Sequence, residues 1–265
     1  MGLVSAAAKG GKGPPGPSVA TINLLGPFTI TVDRRAAGPW PRPTAKRLCE
    51  LVFLSHGRRV SRDLAREELF PGLDAHAGAR ALSKSLSLAR GVLSELGEPA
   101  AGLLQGDLGH NWISPAILAK TDLEALEEAL MAALAMVPGQ DRDDRLVAAL
   151  SEDAGLLADE PYTEWALRPL ERLKALRQEA RLTLARDRTR GAGHSRPEAV
   201  VAAWESCWGH DTACEEAAAA LMRSYSAQGQ RHLVVRTYEH CRSALEELGL
   251  VTLGSVAKGG DFNAV

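Results

Sequence analysis

A mainly α chain in two unlike parts is the fold class this sequence predicts, with strands and three helices closed by a hairpin first and helices alone afterwards. Three observations predict it. Residues 21–33, "TINLLGPFTITVD", alternate apolar and polar side chains around a Gly-Pro turn, as two short strands do. Three helical patterns then lead into "GLLQGDLGHNWIS", two strand-like runs joined at Gly-Asp-Leu-Gly. Beyond residue 122 the spacing is helical, and "VVAAWESCW" (200–208) realigns with "VVRTYEHCR" (234–242) after 34 residues. The first order of elements is that of an α+β winged helix-turn-helix. A period of 34 residues is that of tetratricopeptide-like helical hairpins, each burying its apolar face on the next. An unrelated all-α bundle is the alternative for the second part.

The elements follow in order. "PTAKRLCELVFLSHG" sets Leu48, Leu51 and Val52 at helical spacing, with Thr44 as its N-cap. "VSRDLAREELFPG" starts a helix at Ser61 and stops it at Pro71-Gly72. "GARALSKSLSLARGVLSELG" (78–97) is the third helix. Leu123 to Met136 is Ala/Leu/Glu-rich, and Pro161 to Arg190 carries a long amphipathic pattern. Between the repeated windows, "AALMRSYSAQGQ" supplies the small residues, aromatic and Gly of a first helix and its turn. The expected divisions are a disordered lead at 1–20, a winged helix-turn-helix at 21–116, a helical domain at 117–250 and a tail at 251–265.

Charge and cysteine usage narrow the function. Residues 21–114 carry twelve Lys/Arg and nine Asp/Glu, whereas residues 115–265 carry seventeen and twenty-four. The mildly basic first half points to an anionic partner for that half alone. The opening residues lack the apolar core of a signal peptide, and no run approaches the ~18 apolar residues of a membrane span. A cytoplasmic protein with four reduced cysteines is expected. "GKGPPG" spells G-x-G-x-x-G, but its prolines and the lack of a strand before it remove the basis for a phosphate cradle.

The third helix carries the sharpest signal. At 100° per residue, Leu82, Leu86, Ala89 and Leu93 share a core face, while Arg80, Lys84, Ser87, Leu88 and Gly91 lie opposite, flanked by Ser83 and Arg90. No acid enters the outer face before Glu95. Small residues let a helix sink into a major groove about 12 Å wide, where Arg and Lys pair with guanine edges or phosphates and Ser with either. The face taken alone equally suits a serine-rich solvated surface; the element order around it decides for double-stranded promoter DNA. Arg80, Ser83, Lys84, Ser87 and Arg90 are thus the base-reading candidates. Lys46, Arg47, Arg58 and Arg59 are candidates for phosphates, each with a solvent-facing alternative. No Lys or Arg lies between Arg90 and Lys120, so the wing offers only Gln105, His110 and Asn111. Weak binding by one domain, strengthened by pairing, is expected.

No enzyme is expected, because the seven histidines are scattered and no convergent site assembles. Cys207, His210 and Cys214 form C-x2-H-x3-C, but no fourth ligand stands at zinc-site spacing, and Cys207 aligns with Cys241 in the repeat. Packing is the expected role of these residues, and no metal or cofactor is expected.

With both halves read, the chain resembles the antibiotic-regulatory (SARP-type) bacterial activators, in which an OmpR-type winged helix precedes a bacterial transcriptional activator domain. The resemblance covers about residues 21–250 and rests on "VSRDLAREELFPGLD", "ARALSKSLSLARGVL", "ISPAILAKTDLEALEEAL", "LLADEPYTEWALRPLERLK" around Trp165, and "ALMRSYSAQGQRHLVVRTYEHCRSALEELGL". Phe70 stands where the family has Trp, and Leu88 and Gly91 replace basic or polar residues on the outer face. The resemblance implies an activator that binds repeated promoter sites, dimerises on DNA and touches RNA polymerase. A tetratricopeptide-like interaction module with weak or lost DNA binding is the rival reading, and the cation-poor wing is its feature.

Overall fold

The computed structural model describes residues 19–98, 100–151, 154–160, 163–191 and 196–250. The expected disordered lead (residues 1–18 of it), the tail at 251–265 and the predicted helix start at Pro161 lie outside the described residues. The chain divides into two compact units, one running to Ala125 with 154–168 added, the other comprising 126–153 and the remainder from Pro169. The architecture is a winged helix-turn-helix followed by a helical domain.

In the first unit, β1 (Val19–Asn23) and β2 (Thr29–Val32) pair antiparallel, with Ala20 opposite Val32. Gly26 turns the chain between them at φ 84°, a conformation that disfavours any Cβ. β2 buries Ile30 and Val32 and leaves Thr29 and Thr31 partly exposed, the alternation read in the sequence. β3 (Arg35–Ala36) adds an edge, and β7 (Leu118–Thr121) pairs in parallel with β1, giving the order β3-β2-β1-β7. The first unit therefore runs past residue 116. Asp122, just after β7, accepts the backbone N–H groups of Leu24 and Leu25 at 2.7 and 3.1 Å, which ties that junction to the end of β1.

Three helices follow the first strands. α1 (Pro43–Leu54) opens on Pro43, whose missing N–H costs nothing at a first helical position. Arg42 is its cap residue, so the expected cap, Thr44, lies inside the first turn instead. α2 (Arg62–Leu69) starts as expected, with Ser61 Oγ accepting from Leu64 N–H at 3.1 Å. α3 (Ala75–Ser94) is capped by Asp74, which accepts from His76 and Ala77. Ser85, buried on α3, donates to Thr44 Oγ1 at 3.0 Å. The wing is β5 (Leu104–Gly106) and β6 (His110–Ile113), and the short β4 (Arg59–Ser61) pairs with β6 to give β4-β6-β5. Ile22, Ile30, Leu48, Leu82, Leu93, Leu103 and Leu104 are fully buried and form the apolar centre of this unit.

The remaining helices are α4 (Asp122–Leu134), α5 (Gln140–Leu150), α6 (Glu164–Arg190), α7 (Pro197–His210), α8 (Glu215–Ala227) and α9 (Arg231–Glu247). α5 was absent from the pattern read in the sequence. Its "QDRDDR" start shows no apolar stripe, and a buried ion pair from Arg142 to Asp187 of α6 anchors it instead. The repeated windows fall on α7 and α9. Trp204, Cys207, Leu221, Tyr225 and Val234 pack as one cluster, and Cys241 joins Ala218 and Leu245 in a second. Among the described residues, no group of three or more His, Cys, Asp or Glu is arranged to hold a metal ion, and no helix is long and apolar enough to cross a membrane.

Candidate nucleic-acid interface

The amphipathic division of α3 sets the site. Leu82, Leu86, Ala89, Val92 and Leu93 are buried on one side. Arg80, Ser83, Lys84, Ser87 and Gly91 form an exposed strip on the other, and Leu88 is partly covered. The Arg66 side chain of α2 lies across Gly78, where a Cβ would come within 2.6 Å of its Cγ and force it to shift.

The strip is not made by α3 alone. Arg62, at the start of α2, donates to Ser83 Oγ at 2.7 Å, while Ser83 donates to Ala79 O at 2.9 Å. Arg62 thus joins Arg80 and Lys84 as a third cation at this face. Sequence reasoning missed it because a helical wheel sees one helix at a time; its position just after the Ser61 cap was the available signal. Arg90 stands differently from the other base-reading candidates: it is partly buried, and its Nε donates to Leu104 O at 3.0 Å, so it braces α3 against β5.

Three of the phosphate candidates are committed inside the first unit. Lys46 forms ion pairs with Glu50 and Asp159. Arg47 makes two hydrogen bonds to Glu160 at 2.7 and 3.2 Å. Arg58 donates to Ala119 O at 2.6 Å and pairs with Glu124. Their partners are distant in sequence, so the chain pattern could not reveal that these charges were already met. Burial opposes the charged form of Lys46, but its hydrogen bond to Asp159 and the charge of Glu50 outweigh that and raise its pKa.

The wing corrects two further expectations. Asn111 does not face outward: β6 turns His110 and Trp112 toward solvent and buries Asn111 with Ile113. Nor is the wing bare of cations. Pairing β4 with β6 sets the exposed Arg59 guanidinium 5.8 Å from the centre of the Trp112 ring and 3.0 Å from His110 Nδ1. At the hairpin tip, Asp107 accepts the N–H groups of His110 and Gly109, both at 2.7 Å, bonds that hold its carboxyl below the usual range. Leu108 beside it is fully exposed.

Gly106 is required for this hairpin to sit on α3. A Cβ there would lie 2.7 Å from Asn111 Oδ1 and 2.9 Å from Leu86 Cδ2. Gly106→Ala is expected to cost about 1–3 kcal/mol by overpacking. Urea unfolding of the full chain checks this, and an unchanged midpoint would show that the two side chains make way freely.

No family model matches this chain, and no curated protein matches it. Among solved structures it is similar to Mycobacterium tuberculosis EmbR in complex with a low affinity phosphopeptide, at a TM-score of 0.68 and 18% sequence identity. The match covers 91% of this chain and 63% of that one, so this chain spans just under two thirds of EmbR's length, and what the two share is the fold.

Proposed function

We propose that the chain is a DNA-binding transcriptional regulator, an activator whose α3 enters the major groove of promoter DNA while the wing rests at the neighbouring backbone. The observation that carries this is the α3 strip: Arg80, Lys84, Ser83 and Ser87 open to solvent, Arg62 added from α2, and no acid on the helix. Arg80, Lys84 and Ser87 are the base-reading residues; Arg62 and Arg59 hold phosphates, with His110 behind Arg59. Ser83 positions Arg62 and takes part in reading where Arg62 releases it. The fold shared with EmbR and the resemblance to antibiotic-regulatory activators support the same assignment. By that resemblance the protein acts in the cytoplasm, on the nucleoid, as a dimer on repeated sites, contacts RNA polymerase and catalyses no reaction.

A salt titration tests it. With two phosphate contacts per protomer, from Arg59 and Arg62, affinity for a promoter duplex is expected to fall roughly twelve-fold between 50 and 200 mM salt, and further if two protomers bind together. The rival, an interaction module, is favoured by one observation: Lys46, Arg47 and Arg58 are neutralised by acids of their own unit. Negligible, salt-independent binding to promoter and random DNA alike would decide for that module.

A further inference from the structure

A second feature of the first unit is independent of the DNA reading. Residues 154–160 lie far along the sequence, yet they are laid on the end of the β1–β2 hairpin. Leu156 forms an antiparallel bridge with Leu25, and three backbone bonds secure it: Gly26 N–H to Gly155 O at 2.7 Å, Leu157 N–H to Leu24 O at 2.8 Å, and Ala158 N–H to Gly26 O at 2.9 Å. The two residues that end this stretch, Asp159 and Glu160, then reach the cations of α1, Asp159 to Lys46 and Glu160 to Arg47.

Glu50 lies beneath that contact on α1 and is completely buried. Its Oε1 is 3.1 Å from Lys46 Nζ, an ion-pair distance, yet neither carboxylate oxygen receives a well-formed hydrogen bond among the described residues. The charged groups facing it are Lys46 and Arg47 on its own helix and Asp159 and Glu160 on the docked stretch, with the Cys49 thiol adjacent. When Glu50 is neutral, two cations meet two carboxylates and the cluster balances. When Glu50 is ionised, three carboxylates share the same two cations. The core holds Glu50 in place, so the partly exposed Asp159 and its stretch are what the excess charge can displace.

We propose that residues 154–160 are a latch on the first unit whose hold is set by the protonation state of Glu50, closed when that carboxyl is neutral and loosened when it is ionised. Burial raises the Glu50 pKa to about 7, against the pull of Lys46, so the change of state falls where a cell can use it. The direction follows from the charges of Asp159 and Glu160, which raise the Glu50 pKa only while the stretch is docked. The neutral form is favoured in the closed state, so the latch is tightest in mildly acidic solution and weakens as pH rises through 7.

Hydrogen exchange of the full chain at pH 6 and pH 8.5, corrected for the intrinsic rate at each pH, tests the latch. The amides of Gly26, Leu157 and Ala158 report its opening; those of α1 and α8 report global unfolding. Protection of the latch amides is expected to fall severalfold between the two conditions while the helix amides hold. Glu50→Gln, which cannot ionise, should keep the latch protected at both. Asp159→Asn removes a partner of Lys46 and should lower protection already at pH 6. Equal latch protection in the unmodified chain at both pH values, the same loss in Glu50→Gln, or a parallel loss in the α1 amides would each overturn the proposal.

Discussion

Arg142→Leu is expected to destabilise the second unit by about 3–5 kcal/mol, the range seen when one partner of a buried ion pair is removed. Arg142 is 7% exposed, and the Asp187 side chain it pairs with is 6% exposed. Its Nε donates to Asp187 Oδ2 at 2.8 Å and its Nη1 to Met136 O at 2.9 Å, so one guanidinium joins α5, the turn before it and α6. Without it, Asp187 keeps, among the described residues, the Arg190 pair at 3.9 Å, while Asp143 stands close enough for its own carboxyl to be raised by burial and by the Asp187 charge. Two carboxylates would then face each other with only Arg188, acting on Asp143, and the distant Arg190 to offset them. Arg142→Leu combined with Asp187→Leu removes the orphaned charge, and apolar replacement of a whole pair is often neutral. The double variant should therefore recover most of the loss. Urea unfolding followed by the fluorescence of Trp204 and Trp208 checks this. A single variant within about 1 kcal/mol of the unmodified chain would mean that α5 is not held by this pair.

The ion pair also shows why parts of the fold were legible in the sequence and others were not. Elements held by an apolar stripe announced themselves: β2 by its alternating Ile30 and Val32, α3 by Leu82, Leu86 and Leu93, and α7 and α9 by a repeat whose cysteines are both buried. α5 is held by a charge whose partner lies 45 positions away, and periodicity carries no record of that. The same reason separates the parts of the candidate interface. The strip on α3 follows from one helix's own spacing. The fates of Lys46, Arg47 and Arg58 depended on acids at 124, 159 and 160, and the cation at the wing came from a strand pairing that sets Arg59 opposite Trp112. Asn111 could have been placed by the strand period alone, since Ile113 must face inward and Asn111 shares its side.

Arg80→Ala with Lys84→Ala is expected to remove most site-specific DNA binding while leaving the fold intact. Both residues are exposed, and neither side chain makes an ion pair or hydrogen bond among the described residues. Four positions apart on one helix, they also repel each other, by about 0.2–0.5 kcal/mol, so their removal should leave stability unchanged or slightly raised. If both read bases, each loss is expected to remove about 1–3 kcal/mol of discrimination, or roughly thirty-fold or more in the specific complex for the two together. Affinity for random duplex should fall less. Fluorescence anisotropy with promoter and scrambled duplexes, beside a thermal melt of each variant, separates the outcomes. Equal loss on both duplexes would reassign the pair to phosphates and leave base reading to Ser87 and its neighbours. Unchanged binding on both, with an unchanged melt, would move the interface off α3 altogether.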